Sequence, residues 1–566
     1  MKKKYIISLF LLVFALPLFA ASEAEYRKLS KTYTLNSDGS QEYRYSMELT
    51  LFTHTAMNRT YGESFIVYNP EFQELKIHSS YTKQKDGTII RTPENAFVEV
   101  LPRQAAKAPA FNHLKEMVVV HTGLELEATI YLDYSVISKP GYLPALDICE
   151  AIAQTSPVKD YTITVKAPAN EPLFYDLSNH PAKSAVTSSD GMKEVVWKIR
   201  NLSAASMAPQ VTALGGDVPL LTVSGFASNN DALKYLNKQL TPSGNASVQT
   251  VLKAVVNGKE TGSEKIYAIL NYVTDNLDLS RLSLAETGFR LRSVDEVLNS
   301  AYGTETEKVA LLAGMLNAAG IKADIVAAYL SDADINSYGL SAINELFVLV
   351  DTDGKQYLLT PKQKKMSEAG WYAGYAKFVN ISNPGNTVNI ETPSTDLNYT
   401  YAITIKDEKA EIQAETNVGT AFIPYTGNTA RDSYSTSQQL EKVGSYILFS
   451  LPDSPNSLSH APYKNYNSMR SENLLLPYKA KESYKYIIQL PENIKLKTSV
   501  SEKTIDKKVG LTTISIKQNG NIVEVVRTLE IKKQLISSAE YSSFRSIMNE
   551  WAGNNKLLFV IDDTKK

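Results

Sequence analysis

The chain has 566 residues, of which 43% are hydrophobic, so it is long enough for about three or four domains with substantial cores. It carries 59 basic and 60 acidic residues, and this balance argues against a nucleic-acid-binding protein, which would have a basic excess. Its one cysteine, Cys149, cannot form an intramolecular disulfide. Because Cys149 lies in a β-like region, we interpret it as a small buried apolar residue rather than a reactive thiol.

The N-terminal segment is typical of a secretory signal peptide. Three lysines at 2–4 precede an uncharged apolar run over 5–19, and small residues follow at 20–22. The apolar run is shorter than the roughly 20 residues of a membrane-spanning helix. We therefore predict a signal peptide at 1–21, no membrane span after its removal, and a soluble periplasmic protein, with secretion as the alternative.

The segment 22–225 is predicted to be a β-sandwich-like domain. Alternating strings such as YRYSMELTLFT and TITVKAP predict strands, and long helical periodicity is missing. Asp-Gly pairs at 38–39, 86–87 and 190–191 fit hairpin turns, in which glycine supplies a positive φ.

Helical patterns begin at Asn230, and strands such as KADIVAAYL follow them, so an α+β domain is predicted over 230–361. Within it, the stretch SAYGTETEKVALLAGMLNAAGIKADIV places Thr304 as an N-cap and Glu307 as the partner that completes a capping box. Gly320 is a natural end for this helix. The predicted buried stripes of two helices are Ile266, Ile269, Leu270 and Val273, and Leu311, Leu312, Met315, Leu316 and Ala319.

Residues 362–396 are rich in Gly, Asn, Pro and Ser and are predicted to be an irregular connector. A C-terminal β domain is predicted over 397–566, with one helix near its end. Ser537 and Glu540 cap that helix, and its apolar stripe is Tyr541, Phe544, Ile547, Met548 and Trp551. The predicted fold class is therefore multidomain α+β.

The central domain resembles bacterial transglutaminase-like cores, which share a papain-like arrangement. The matching segments are EKIYAILNYVTDNL, RSVDEVLNSAYGTETEKVALLAGMLNAAGIKADIV and INELFVLVDTDGKQYLLTP. The flanks, with LNSDGSQEY, KQKDGTIIRTPENAFVEV and the helix YSSFR, are similar to exported Gram-negative proteins in which a β domain of unknown function precedes such a core and a smaller β domain follows it. The resemblance covers nearly the whole mature chain.

The resemblance implies where a catalytic triad would lie. In that family a Cys begins the helix after the glycine turn, a His on the next strand transfers protons, and an Asp on the following strand orients the His. These positions fall on Glu305, Glu345 and Thr360, with Leu359 if the register shifts by one. The residue beside the His position is Asn344.

The chain therefore lacks the triad that the resemblance calls for. It has no Cys after Cys149 and no His between 180 and 460. A carboxylate is a weak nucleophile toward amides, and no imidazole is available in the core. We expect a pseudoenzyme without transglutaminase or cysteine-protease activity.

Three functional hypotheses follow. The first is a noncatalytic envelope protein that binds a peptide, glycan or protein partner in the cleft where the family's active site would lie. Its candidate ligand-binding residues are Glu305, Asn344 and Glu345. The second is a cation-dependent or carboxylate-dyad hydrolase in which Glu305 and Glu345 share a proton or bind a hard cation. The third is a structural or assembly role of the β domains. We assign no metal site and no cofactor.

The two carboxylates also have a purely structural interpretation. A negative side chain at Glu305, in the first turn of a helix, is favoured by roughly 0.3–1 kcal/mol. Glu345 would then be a solvated residue on the rim of an open groove. Glu307, two residues along the helix, is expected to point away from the site.

Overall fold

The structure is a computed structural model. It describes residues 22–205, 218–240, 246–330, 334–352, 355–362, 366–373, 376–391, 394–406, 408–418, 431–454, 457–460, 472–492, 494–499, 501–552 and 557–562. The predicted signal peptide at 1–21 lies outside these residues. Among the helices of the described ranges, none has the length and apolar character to cross a bilayer.

The N-terminal part of the chain is a two-layered β domain. One layer is an eight-stranded sheet in the order β12-β13-β10-β1-β2-β8-β4-β5, and the other consists of the sheets β11-β14-β9 and β3-β7-β6. The strands are β1 (Ala24–Leu35), β2 (Gln41–Leu51), β3 (Glu63–Tyr68), β4 (Gln73–Lys83), β5 (Ile89–Arg91), β6 (Phe97–Val100), β7 (Lys115–Val120), β8 (Thr129–Ser138), β9 (Asp147–Ala151), β10 (Val158–Pro168), β11 (Phe174–Ser178), β12 (Ala185–Ser189), β13 (Met192–Leu202) and β14 (Leu220–Ser224).

The core of this domain lies between the two layers. Leu49 and Ile163 of the large sheet are fully buried, as are Val119 and Leu221 of the small sheets, and all four belong to one cluster. This packing matches the predicted β-sandwich-like architecture. The predicted hairpin glycines are confirmed, because all three have φ between 73° and 94°.

The central domain combines helices with a five-stranded sheet in the order β19-β18-β17-β20-β21. The chain runs through α1 (Asn229–Leu240), α2 (Ala246–Val255), α3 (Gly262–Asp275), β15 (Asp278–Ser280), α4 (Val294–Ser300), β16 (Tyr302–Thr304), α5 (Glu305–Ala318), β17 (Lys322–Tyr329), β18 (Glu345–Thr352), β19 (Lys355–Leu359), α6 (Met366–Ala373), β20 (Lys377–Asn380) and β21 (Thr387–Val388).

Helix α5 is the centre of this domain. It is buried along nearly its whole length, from Thr306 to Leu316, so it is surrounded by other elements rather than presenting a single apolar stripe. It contacts the helices α2, α3 and α4 and the strands β17 and β18. The predicted capping box is confirmed, since the Oγ1 atom of Thr304 accepts the N–H of Glu307 while the carboxylate of Glu307 accepts the N–H of Thr304.

The prediction of an irregular connector over 362–396 is wrong. Helix α6 and strands β20 and β21 lie in this segment, and β20 pairs with β17 in the core sheet. The composition misled the prediction because the polar turn at 381–386 dominates the window, while the short strand KFVN carries only two buried residues, Phe378 and Val379.

The C-terminal domain is built on a seven-stranded sheet in the order β24-β23-β22-β28-β32-β31-β30, with the smaller sheets β25-β26-β34-β29 and β27-β33 beside it. Its elements are β22 (Ser394–Lys406), β23 (Lys409–Val418), β24 (Arg431–Gln439), β25 (Glu441–Val443), β26 (Tyr446–Ser450), β27 (Leu474–Leu475), β28 (Lys479–Gln489), β29 (Lys495–Leu496), β30 (Ser501–Lys507), β31 (Gly510–Asn519), β32 (Ile522–Ile531), β33 (Leu535–Ile536), α7 (Tyr541–Ala552) and β34 (Leu558–Asp562).

Helix α7 packs on strands β30 and β31, and its predicted apolar stripe is buried. One buried cluster joins this domain to the central domain, because apolar residues of α5 and of β28 belong to the same contiguous core. The fold class is thus a multidomain α+β arrangement, with an α+β core between two β domains.

Candidate functional site

The turn before α5 fixes the position of Glu305. Gly303 leaves little room for a side chain, since a Cβ atom there would lie 3.0 Å from Val297 and 3.2 Å from Lys308. Glu307 anchors the turn by accepting a hydrogen bond of 2.9 Å from Nη2 of Arg292. Glu305 is therefore held at the first position of the helix, with its side chain 30% exposed.

Glu345 begins β18 and pairs with Ala328 of β17. The N–H of Asn344 donates to the carbonyl of Ala328 at 3.0 Å, which locks the start of the strand. The side chain of Glu345 is only 4% exposed, so the predicted solvated position on a rim is wrong. Its Oε1 atom is buried without a hydrogen-bond partner among the described residues.

Lys362 joins the two carboxylates. Its Nζ atom lies 2.6 Å from Oε1 of Glu305 and also donates to Oε2 of Glu345. The two bound oxygens are therefore neighbours across a single ammonium group. We call Glu305 and Glu345 the carboxylate pair.

Burial and mutual repulsion set the protonation of this cluster. Desolvation, followed by the neighbouring Glu305, raises the pKa of Glu345 well above its usual range. Burial alone would lower the pKa of Lys362, but the attraction of Glu345 and Glu305 outweighs it and raises that pKa. We infer that near neutral pH the ammonium is charged and the carboxylate pair retains one proton, which leaves the cluster close to neutral.

The cluster lines a cavity of about 920 Å³ between the N-terminal β domain and the core, which we call the central cleft. Residues of strand β9 and of the segments 281–285 and 343–346 line the cleft, and Tyr33 and Tyr43 contribute aromatic surface. Cys149 also lines the cleft. Burial, then the nearby Asp147 and Glu150, raises the pKa of this thiol to about 12, so it is a protonated thiol and not a reactive thiolate.

Three family matches cover most of the chain in order. Residues 37–206 match the domain of unknown function DUF3857, residues 249–373 match the core of the transglutaminase-like superfamily, and residues 446–561 match the domain of unknown function DUF3858. A solved structure of a candidate protease from Parabacteroides distasonis is 42% identical, with a TM-score of 0.80, and the alignment covers 95% of this chain and 99% of that one. The chain belongs to the transglutaminase-like superfamily.

More distant matches carry no further argument. A candidate cysteine protease from Cytophaga hutchinsonii is 12% identical over 38% of this chain and 74% of its own, with a TM-score of 0.18. An M1 zinc metallopeptidase from Deinococcus radiodurans is 11% identical over 36% and 42%, also with a TM-score of 0.18. No curated protein matches the chain.

Within this transglutaminase-like core, the four candidate residues differ in their positions and contacts. The structure brings Glu305 and Glu345 together. Asn344 is exposed, and its Oδ1 atom accepts the N–H of Leu330 at 2.7 Å, so it braces a loop. Thr360 is buried, and its hydroxyl accepts the N–H of Lys362 at 3.3 Å, so it positions the backbone of the lysine.

Sequence reasoning missed Lys362 because it fell at the start of the predicted connector. The signal was present, since Lys362 follows β19 by three residues, directly after Thr360 and Pro361. A cation at the end of this strand is well placed to reach two carboxylates that begin the neighbouring elements α5 and β18.

Proposed function

We propose that this protein is a noncatalytic member of the transglutaminase-like superfamily that binds an extended peptide in the central cleft. The observation that carries the proposal is the ion cluster of Glu305, Glu345 and Lys362. It occupies the place where, by resemblance, the nucleophile and the base would lie. The N-terminal signal-peptide pattern supports a role in the periplasm.

The chemistry of the cluster opposes acyl transfer. A thiolate at the start of a helix attacks amides because its pKa is lowered and an imidazole accepts the proton. A carboxylate bound to an ammonium group has one oxygen engaged and its charge neutralised, so it is a still weaker nucleophile. The core, moreover, contains neither Cys nor His to replace it.

The shape of the cleft favours an extended peptide. Strand β9 lies at the edge of its sheet, where it pairs with β14 on one side and with no strand of the described residues on the other. Residues 147–150 of β9 line the cleft. An extended segment can add to such an edge through main-chain hydrogen bonds, while the cleft accommodates its alternate side chains.

One observation favours a second candidate, hydrolysis by the carboxylate pair. The raised pKa of Glu345 beside Glu305 is the arrangement by which two carboxylates share a proton and divide acid and base roles. Lys362 weighs against this candidate, because its ammonium group occupies the space between the carboxylates where a water or a scissile bond would have to enter.

The two candidates are separated by assays on the full mature chain. We expect neither cleavage of fluorescein-labelled casein nor incorporation of dansylcadaverine into casein, in the wild type or in Glu305→Gln. Cleavage by the wild type that disappears in both Glu305→Gln and Glu345→Gln would instead establish the carboxylate pair as catalytic and overturn the proposal.

Binding is measured through the single thiol of the chain. Cys149 lies in the cleft and its protonated thiol reacts slowly, so a bound peptide should slow its reaction with excess methyl methanethiosulfonate further, followed by intact mass. We expect members of a pool of random dodecapeptides to protect Cys149. A pool that leaves the reaction rate unchanged at millimolar concentration would contradict peptide binding in the cleft.

A further inference from the structure

The ammonium group of Lys362 is supplied by the chain itself. Its side chain reaches back from the end of β19 to the carboxylate pair, and it is 27% exposed, whereas the side chain of Glu345 is 4% exposed. The cluster therefore contains a deep acceptor and a cation that lies closer to solvent. Lys362 also lines the cleft, so displacement of its ammonium group would open the carboxylate pair to a ligand bound there.

The ammonium group leaves part of the pair unsatisfied. Oε1 of Glu345 is buried and accepts no hydrogen bond from any described residue, although Oε2 of the same carboxylate is bound to Lys362. When the carboxylate pair holds its proton, that proton can satisfy this oxygen; once the proton is released, the oxygen is a buried acceptor that needs another donor. Without that proton, the site has one more acceptor oxygen than the ammonium group of Lys362 satisfies.

We propose that the carboxylate pair is a binding site for the guanidinium group of an arginine side chain in the bound peptide. In the free protein, the ammonium group of Lys362 occupies this site. This inference rests on the proposed function. A guanidinium group is planar and carries five N–H donors in a fixed fork, so it can span two carboxylates and also reach Oε1 of Glu345.

The charge of the cleft supports a cationic ligand. Besides the cluster, the charged residues that line it in the described part of the chain are Glu42, Asp147, Glu150 and Arg281, so acidic groups prevail. The carboxylate of Glu150 lies 3.0 Å from Nζ of Lys31, a residue of strand β1 in the N-terminal domain. An excess of carboxylates in a partly enclosed cleft concentrates cations there.

The first experiment compares two peptides on the unaltered mature protein. The probes are a capped heptapeptide with arginine between two Ala-Ala-Ala segments and the same peptide with citrulline, which is neutral and nearly isosteric. We expect the arginine peptide to bind about tenfold more tightly by calorimetry, because a charged donor makes stronger hydrogen bonds to carboxylates than a neutral donor does. Equal affinities, or no binding of either peptide, would overturn the inference.

The second experiment removes the internal cation. We expect Lys362→Ala to bind the arginine peptide about tenfold more tightly than the wild type does, because no competitor remains, and to bind the citrulline peptide unchanged. Lys234→Ala, which removes a surface lysine paired with Asp231, is the matched control and should change neither affinity. An unchanged affinity of Lys362→Ala for the arginine peptide would contradict the role of Lys362.

Folding and catalysis are checked in the same samples. Lys362→Met retains more of the apolar part of the side chain and replaces Lys362→Ala if the alanine variant does not fold. The comparison of the arginine and citrulline peptides on the wild type does not depend on either variant. Mass spectrometry of the peptides after incubation distinguishes the two proposals. Intact peptides that bind without preference refute arginine recognition alone, whereas cleaved peptides refute the noncatalytic function.

Discussion

The carboxylate of Asp147, on the edge strand β9, accepts a hydrogen bond of 2.5 Å from the backbone N–H of Leu340 in the core. The same carboxylate accepts the N–H of Ser341 at 3.1 Å. One side chain of the N-terminal domain thus fixes the loop that leads into Glu345. Close packing reinforces the contact, since a Cβ atom on Gly339 would lie 2.4 Å from this carboxylate.

Asp147 should make the stability of the protein depend on pH. Burial raises the pKa of Asp147 to about 6, although the N–H groups of Leu340 and Ser341 oppose the shift. Between its ordinary value of 3.8 and about 6, the folded state binds the extra proton, so the contribution of Asp147 is present at low pH and is lost as the pH rises through 6. We expect the stability of the wild type relative to Asp147→Asn to increase when the pH falls from 8 to 5, as measured by urea unfolding.

Two results would test that explanation further. Ser341→Ala, which leaves the backbone donors in place, should retain the pH dependence of the wild type. Gly339→Ala should destabilise the docking of the loop at every pH, because its Cβ atom displaces the carboxylate. A parallel pH profile for Asp147→Asn and the wild type would contradict the assigned role.

Glu345 predicts a second pH dependence. Because desolvation and then Glu305 raise the pKa of Glu345, the folded state holds a proton that the unfolded chain releases near pH 4.5. Stability should therefore fall as the pH rises from 4.5 toward the raised pKa, and Glu345→Gln should remove this slope in thermal unfolding. Glu260→Gln, at an exposed position, should leave the slope intact, and a slope unchanged in Glu345→Gln would show that this proton is not held there.

The capping residue Glu307 allows a comparison between a buried and an exposed capping box. Glu307 is 1% exposed in its side chain and pairs with Arg292, whereas Glu264 holds the same place in an exposed box with Thr261. Glu307→Gln should destabilise the protein by about 3 kcal/mol, because it leaves a guanidinium group largely buried without its charge partner. Glu264→Gln should have a smaller effect in the same denaturation assay, and equal losses would show that capping alone matters.

Lys308 predicts the opposite pH dependence to that of Glu345. Its Nζ atom is buried and donates to the carbonyl of Leu277 at 2.8 Å, and burial lowers the pKa of Lys308 to about 8 against the attraction of Asp278 and Asp275. The unfolded chain keeps this proton up to about pH 10.5, so Lys308 should make stability rise with pH between 8 and 10.5.

Comparison of variants isolates this contribution. Lys308→Met should lose the rise relative to the wild type in urea unfolding at pH 7.5, 9 and 10. Lys322→Met, which alters an exposed lysine at the start of β17, should keep it. A wild-type profile that runs parallel to that of Lys308→Met would mean that Lys308 does not titrate in this range.

Local signals of the sequence predicted the framework of the site. The Thr304–Glu307 capping box, the end of the helix at Gly320 and the apolar stripe of α7 depend on residues within a few positions of one another, and the structure has them. These features are set by short-range hydrogen bonding and periodicity, which one segment contains in full.

The composition of the site could not be predicted in the same way. The resemblance gave Glu305 and Glu345, but the ammonium group between them comes from a segment whose composition predicted a connector. The loop that leads into Glu345 is held by Asp147, and that contact joins residues distant in sequence. Contacts between residues so far apart in the chain produce no periodic pattern in the amino-acid sequence from which they could be predicted.

The position of β1 has a consequence for how the protein folds. Strand β1 is central in its sheet and runs parallel to β10, so that Tyr26 lies beside Val158. Strand β1 precedes β10 in the chain and must therefore wait, with one edge open, until β10 has been added. This high contact order predicts slow completion of the domain and a period in which β1 is vulnerable to pairing with other chains. Strand β22, parallel to β28, imposes the same delay on the C-terminal domain.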